Sequence, residues 1–156
     1  MFKNMFKGGI DMTENYVLAR RLIYALYVSD QLFISTAKEL HINPTELYVL
    51  YSLDNNEFLS QKETSEKMCI PLSTVNTIVK KWEKSGLILQ SPIEGKRREM
   101  QISLTQKGKE YARECLKKIY EIHCEAMSKT LEQYPREFID AIEFFNNCQI
   151  EKYKKD

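Results

Sequence analysis

Residues 71 to 105 read PLSTVNTIVKKWEKSGLILQSPIEGKRREMQISLT, and the fold follows from them. At 100° per residue, Val75, Ile78, Val79 and Trp82 fall in one narrow sector of a helical wheel. That sector is the expected buried face. Ser73, Thr77, Lys80 and Lys84 fall roughly opposite, flanked by Asn76 and Lys81, so the outward face carries hydrogen-bonding and cationic groups. Such a face suits a DNA groove. Gly86 fits the position after a helix end, where a positive φ is needed. Two short strands follow, Leu87 to Gln90 and Arg98 to Leu104, joined around Ile93 to Lys96 with Gly95 as the turn residue. In the second strand Met100, Ile102 and Leu104 share a face. The hairpin tip, Lys96-Arg97-Arg98, is basic.

Punctuation upstream points the same way. Ser60 caps a short helix with Glu63 three residues on, and Pro71 resists continuing that helix and can open the next. Residues 60 to 85 thus have the length of a helix-turn-helix. Before them, Asn43 caps, Pro44 takes the first helical position and Glu46 can reach back to the cap. Leu47, Leu50 and Tyr51 then line the inner face of a helix ending near Asp54.

The flanks are long helices. Thr13 to Leu40 has no Gly or Pro, with Thr13 as N-cap and a broad stripe of Leu18, Leu22, Ala25, Leu26, Phe33 and Ala37. Thr105 caps a helix from Gln106 to about Leu131. One of its apolar faces holds Tyr111, Cys115, Ile119, Ile122 and Ala126, the other Ala112, Leu116, Tyr120 and Met127. Pro135 opens a last helix with Phe138, Ala141, Ile142 and Phe145 inward and Phe144 on another side. One face serves the chain's own fold and the other a second subunit, which predicts a homodimer through the terminal helices. The opening MFKNMFKGGIDM is expected to be an arm packed on the partner.

Composition sets bounds. A chain of 156 residues with 43% hydrophobic content, 5 Gly and 4 Pro fits a mainly α fold of one domain, or one domain plus an oligomerisation appendage. Its apolar runs fall far short of the roughly 20 residues that span a bilayer, and no signal-peptide core precedes a cleavage site; the expected location is cytoplasmic. Net charge is only +1, yet residues 71 to 98 hold 6 Lys/Arg against 2 Asp/Glu. That concentration fits a nucleic-acid face, with a solvated charged hairpin as the plainer use. Cys69, Cys115, Cys124 and Cys148 show no CxxC spacing and read as buried free thiols; redox sensing requires an exposed thiolate of low pKa. His41 and His123 are the only histidines, and neither sits in a ligand cluster, so no metal and no cofactor are expected. No Ser/His/Asp or Cys/His constellation and no phosphate loop appears, which argues against an enzyme.

The order of helix, two short helices, recognition helix, hairpin and two terminal helices resembles the MarR family of winged helix-turn-helix transcriptional regulators. STVNTIVKKWEKSGLI followed by RREMQISLTQKG looks like that family's S-T-V-x-x-x-V-x-x-L-E-x-x-G-L-I and its strand ending L-T-x-x-G. Three positions depart from the pattern: Trp82 for the Leu before the Glu, Thr77 for the Arg after S-T-V-x, and Lys96 for the Asp that in the family braces the wing Arg, here Arg98. The resemblance implies a mainly α fold with an α/β wing hairpin. Its parts are an N-terminal arm and dimerisation helix (1–40), a DNA-binding lobe (41–105) and C-terminal dimerisation helices (106–156). It implies a homodimeric regulator, most often a repressor, on a pseudo-palindromic operator of double-stranded DNA. The recognition helix would present Ser73, Thr74, Asn76, Thr77, Lys80, Lys81 and Lys84, with Asn76 placed to read adenine and the three lysines to meet phosphates. Lys96, Arg97 and Arg98 would enter or flank the minor groove. A small-molecule effector would sit in a cleft for which Tyr24, Tyr27, Tyr48 and Tyr51 are candidates. The competing reading is a winged-helix adaptor whose basic face docks an acidic protein.

Overall fold

A computed structural model describes residues 12–55, 58–93, 95 and 99–155. The elements run in the order α1 (Met12–Glu39), α2 (Pro44–Asp54), β1 (Leu59–Ser60), α3 (Gln61–Met68), α4 (Leu72–Lys84), β2 (Ile88–Pro92), β3 (Met100–Leu104), α5 (Gln106–Leu131) and α6 (Phe138–Lys155). The chain divides into two compact units, Met1–Cys115 and Leu116–Asp156. The expected mainly α fold with a small hairpin is what the structure shows.

Helix ends in the first unit are set by local chemistry. The Asn43 side-chain oxygen accepts from the Thr45 N–H at 2.8 Å and Pro44 occupies the first turn of α2. Ser60 and Glu63 form a reciprocal capping box at α3. At the other ends, α1, α3 and α4 each close with paired bonds of the Schellman type. The N–H of His41, Cys69 and Gly86 reaches back three residues, to Lys38, Glu66 and Glu83, and the next N–H reaches back five, to Ala37, Ser65 and Trp82. All three turn residues have positive φ, 55°, 51° and 70°. Only the last is a glycine, so His41 and Cys69 hold a conformation that L side chains rarely adopt.

Sequence reading misplaced several details. Thr13 lies inside α1, which already includes Met12, instead of capping it. Glu46 does not reach back to its own cap; it pairs with Lys81 of α4. Pro71 does open α4, from the N-cap position. Strand β2 sits one to two residues later than expected, β3 begins at Met100 and, as expected, ends at Leu104, and Met100 is exposed while Ile102 is fully buried. A third strand, β1, was missed. Only two residues long, it pairs antiparallel with β3 (Leu59 opposite Ile102), giving the order β1-β3-β2. The buried-thiol expectation holds for Cys115 alone; Cys69, Cys124 and Cys148 are exposed. The opening arm, residues 1–11, lies outside the described residues.

The core of the first unit gathers around Leu47, Leu50, Val75, Val79, Ile88 and Ile102, all within 2% of complete burial. Helix α2 packs on α1, α3 and β3, and α4 packs on α3 and β2. The start of α5 closes this unit through Thr105. Its N–H donates to the Leu87 carbonyl at 3.0 Å. Its hydroxyl donates to the Gly86 carbonyl at 2.8 Å and accepts from the Gly108 N–H at 3.0 Å. Gly108 is itself required by packing, since a Cβ there would lie 1.9 Å from the Leu87 carbonyl oxygen. One turn on, the Tyr111 hydroxyl bonds the Cys115 thiol. Burial, with help from that bond and the nearby Glu46 and Glu114 carboxylates, pushes the phenol up to about 12. Burial also raises the Cys115 thiol, the Tyr111 bond opposing it.

In the second unit Leu116 and Ile119 are buried, whereas Ile122 and Met127 beyond them are exposed, at 40% and 39%. Phe144 of α6 is exposed, as its place off the inward stripe predicts. Phe138, Ile142 and Phe145 are half-buried, and Ala141 is exposed.

Two tests follow from this packing. Gly108→Ala forces α5 away from Leu87 and is expected to cost about 2–3 kcal/mol, lowering Tm by roughly 5–10 °C in thermal melting; an unchanged Tm would show that α5 can retreat freely. Because the Tyr111 phenol keeps its proton to about 12 when folded against about 10 when unfolded, its contribution to stability is complete below pH ~10. It disappears as pH rises through ~12. Tyr111→Phe should therefore show a smaller loss of stability over that interval than wild type in denaturant titrations, and equal losses would refute the assignment.

Candidate nucleic-acid interface

Helix α4 owes its orientation to the separation of its faces. Val75, Ile78, Val79 and Trp82 are buried, Trp82 to within 2%. The remaining sides are therefore pinned outward, and Ser73, Thr77, Lys80 and Lys84 lie in solvent while Thr74 and Asn76 are half-buried. The turn before it is tied back to α3 by the Ser65 hydroxyl, which donates to the Ile70 carbonyl at 2.7 Å. The first turn of α4 closes on the Pro71 carbonyl, which accepts from the Thr74 and Val75 N–H groups.

Individual groups on this face differ in their freedom. The Thr77 hydroxyl donates to the Ser73 carbonyl at 2.9 Å, which leaves its oxygen lone pairs outward as an acceptor. Lys80 and Lys84 make no ion pair with any described residue. Lys81 is engaged: its ammonium lies 2.7 and 2.8 Å from the two carboxylate oxygens of Glu46. Sequence reading missed that pairing because the partners are 35 positions apart and each looked occupied elsewhere, one with a cap and the other with phosphate. The wing residues Lys96, Arg97 and Arg98 lie outside the described residues. The hairpin carrying them is described up to Ile93 and from Glu99, whose backbone N–H and carbonyl, respectively, bond at 3.1 Å. Gly95 between them has φ 76°, the conformation the turn demanded.

The four candidate effector tyrosines fall in two groups. Tyr24 and Tyr27 are exposed and line, with Tyr16, Arg20, Arg21 and Ile23, an open hollow of about 700 Å³ on α1. The Arg20 guanidinium lies over the Tyr16 ring, 5.7 Å from its centre. Tyr48 and Tyr51 instead gather about Phe33, the first stacked on it at 4.5 Å and the second edge-on at 5.2 Å. The Tyr48 hydroxyl also donates to the Asp30 carboxylate. Phe33 follows Tyr24 by nine residues, about two and a half turns, and so faces the opposite side of α1. Among the described residues no cluster of His, Cys, Asp or Glu could hold a metal, and no helix is long and apolar enough to cross a membrane.

Comparison with known proteins agrees with this geometry. The MarR family model matches residues 42–100, the span from α2 to β3. The chain is 32% identical over 100 residues to the HTH-type transcriptional regulator SarZ of Staphylococcus aureus, covering 62% of this chain and 68% of that protein. The Staphylococcus epidermidis SarZ is 31% identical over 101 residues, with the same coverage. Among solved structures, a MarR family regulator from Neisseria meningitidis superposes with a TM-score of 0.71 at 22% identity, covering 92% of this chain and 99% of that one. NadR in complex with 4-hydroxyphenylacetate gives 0.68 at 18% identity, covering 91% and 94%. These two likenesses concern the fold, a winged helix-turn-helix between long flanking helices. With a family model over its helix-turn-helix and hairpin region and 32% identity to SarZ over two thirds of that protein, the chain belongs to the MarR family.

Proposed function

We propose that this DNA-binding transcription regulator works as a homodimeric repressor. In this reading residues 41–105 read DNA, and residues 1–40 and 106–156 pair two copies. The observation that carries it is the division of α4, whose apolar side is consumed by the core and whose Ser73, Thr77, Lys80 and Lys84 remain in solvent. Two such helices, related by a two-fold axis, would enter successive major grooves about 10 bp apart on a pseudo-palindromic operator. In this reading Asn76 and Thr77 read base edges, Lys80 and Lys84 meet phosphates, and Arg97 and Arg98 enter or flank the minor groove.

Support for pairing comes from apolar surface that a lone chain leaves in water. Val17, Leu18 and Val28 of α1 are each half or more exposed, and Phe144 and Tyr153 of α6 more so, at 71% and 86%. The open hollow on α1, where the Arg20 guanidinium lies over the Tyr16 ring and Tyr24 and Tyr27 also line the wall, is where we place a small-molecule effector. An effector that prefers one spacing of the two DNA-binding lobes would release or lock the operator.

Gel-shift titration against random duplex DNA is the direct test. Binding at low salt that weakens steeply with salt is expected; no binding at low salt would favour a protein-docking adaptor. Lys80→Ala with Lys84→Ala should reduce the log-log salt slope by about 0.9 for each phosphate no longer neutralised, and an unaltered slope would remove both lysines from the interface. Arg98→Ala should weaken binding while leaving the dimer intact by light scattering. Unchanged affinity at near-physiological salt would exclude the wing from the interface.

A further inference from the structure

We infer that Lys81 is a positioning residue and not a phosphate ligand: through Glu46 it fixes the recognition helix to α2, and the DNA-facing cations of α4 are Lys80 and Lys84. The inference rests on the DNA-binding reading above and concerns how that same face is held.

Geometry distinguishes the three lysines, which sequence alone presents as equals. Both carboxylate oxygens of Glu46 lie within 2.8 Å of the Lys81 ammonium, a charge-assisted contact at the short end of the normal range. The Glu46 side chain is only 14% exposed, whereas that of Lys81 is 62% exposed. The carboxylate therefore has little water to fall back on, and taking the lysine away leaves a half-desolvated charge. Glu46 stands in the first turn of α2, and its charge is also felt at Tyr111 of α5. Its carboxylate thus joins the first turn of α2 to the C-terminal half of α4. A phosphate could recruit Lys81 only by stripping Glu46 of its partner. Lys80 and Lys84 carry no such debt.

The row Val75–Val79–Trp82 holds one side of α4 in the core, and the Lys81–Glu46 contact holds a second side, along its flank. This side-on clamp restrains the roll of the helix. Two copies act in a dimer, so a modest effect per chain is doubled on one operator.

The experiment measures operator or random-duplex affinity against salt for wild type, Lys81→Met, Glu46→Gln, the double variant, Lys81→Arg and Lys80→Met. Lys81→Met and Glu46→Gln should each weaken binding about five- to tenfold, the double variant should be no weaker than either single one, and all three should keep the wild-type log-log slope. Lys81→Arg, which preserves the pair and serves as the folded control, should bind within twofold of wild type. Lys80→Met should lower the slope by about 0.9 per neutralised phosphate. A lowered slope in Lys81→Met, or tighter binding by Glu46→Gln as a freed lysine turns to phosphate, overturns the positioning role while leaving DNA binding intact. Failure of wild type to bind any duplex at low salt overturns the DNA-binding reading itself, and this role with it.

Discussion

The carbonyl of Leu87 is the point on which the first unit closes. It accepts from the Thr105 backbone and hydroxyl, and α5 approaches it so closely that residue 108 has no space for a Cβ. The same few atoms finish α4, since the Leu87 N–H returns to the Trp82 carbonyl and the Gly86 carbonyl receives the Thr105 hydroxyl. A recognition helix is useful only if its roll and height are fixed relative to whatever carries it. Here its C-terminus, the first residue of the wing and the first turn of α5 share one hydrogen-bonded knot. Lys107 adds to it by donating to the Ser85 carbonyl at 2.8 Å, a cation placed on the negative end of the α4 dipole.

Much of this was legible in the sequence because the signals are local. Period, caps and turn residues act over four or five positions, and Ser60 with Glu63, Asn43 with Pro44, Gly86, Gly95 and Thr105 all behave as their chemistry requires. What escaped involves partners distant in the chain. Strand β1 exists only because β3 offers an edge to Leu59 and Ser60; two residues have no periodicity to read. Glu46 and Lys81 were each assigned by near neighbours and found each other across 35 positions. Tyr24 and Tyr48 are alike in residue type, but the turn of α1 separates Tyr24 from the side on which Phe33 meets Tyr48.

Thiol placement shows a related limit. A cysteine at helical spacing reads as a small apolar residue, which suits Cys115 under the Tyr111 hydroxyl. Cys69 takes another path: the chain must turn left-handed after α3, and the residue that meets the demand there is neither Gly nor Asn but a cysteine, exposed at φ 51°. Backbone geometry at a helix end, not side-chain polarity, put that thiol in solvent.

The modest net charge of +1 does not oppose a DNA-binding role, because what a duplex meets is the charge of one face. Pairing Lys81 with Glu46 subtracts one cation from the count of that face but fixes the geometry of those that remain. Affinity for phosphates grows with each one neutralised whatever the sequence, whereas discrimination among sequences requires that the groups proposed to face bases, Asn76 and Thr77, hold their place. A lysine committed to holding the helix therefore contributes to sequence reading what it withholds from non-specific attraction. The ratio of specific to non-specific binding is the quantity on which the pair acts, and it governs occupancy in a genome full of competing sites.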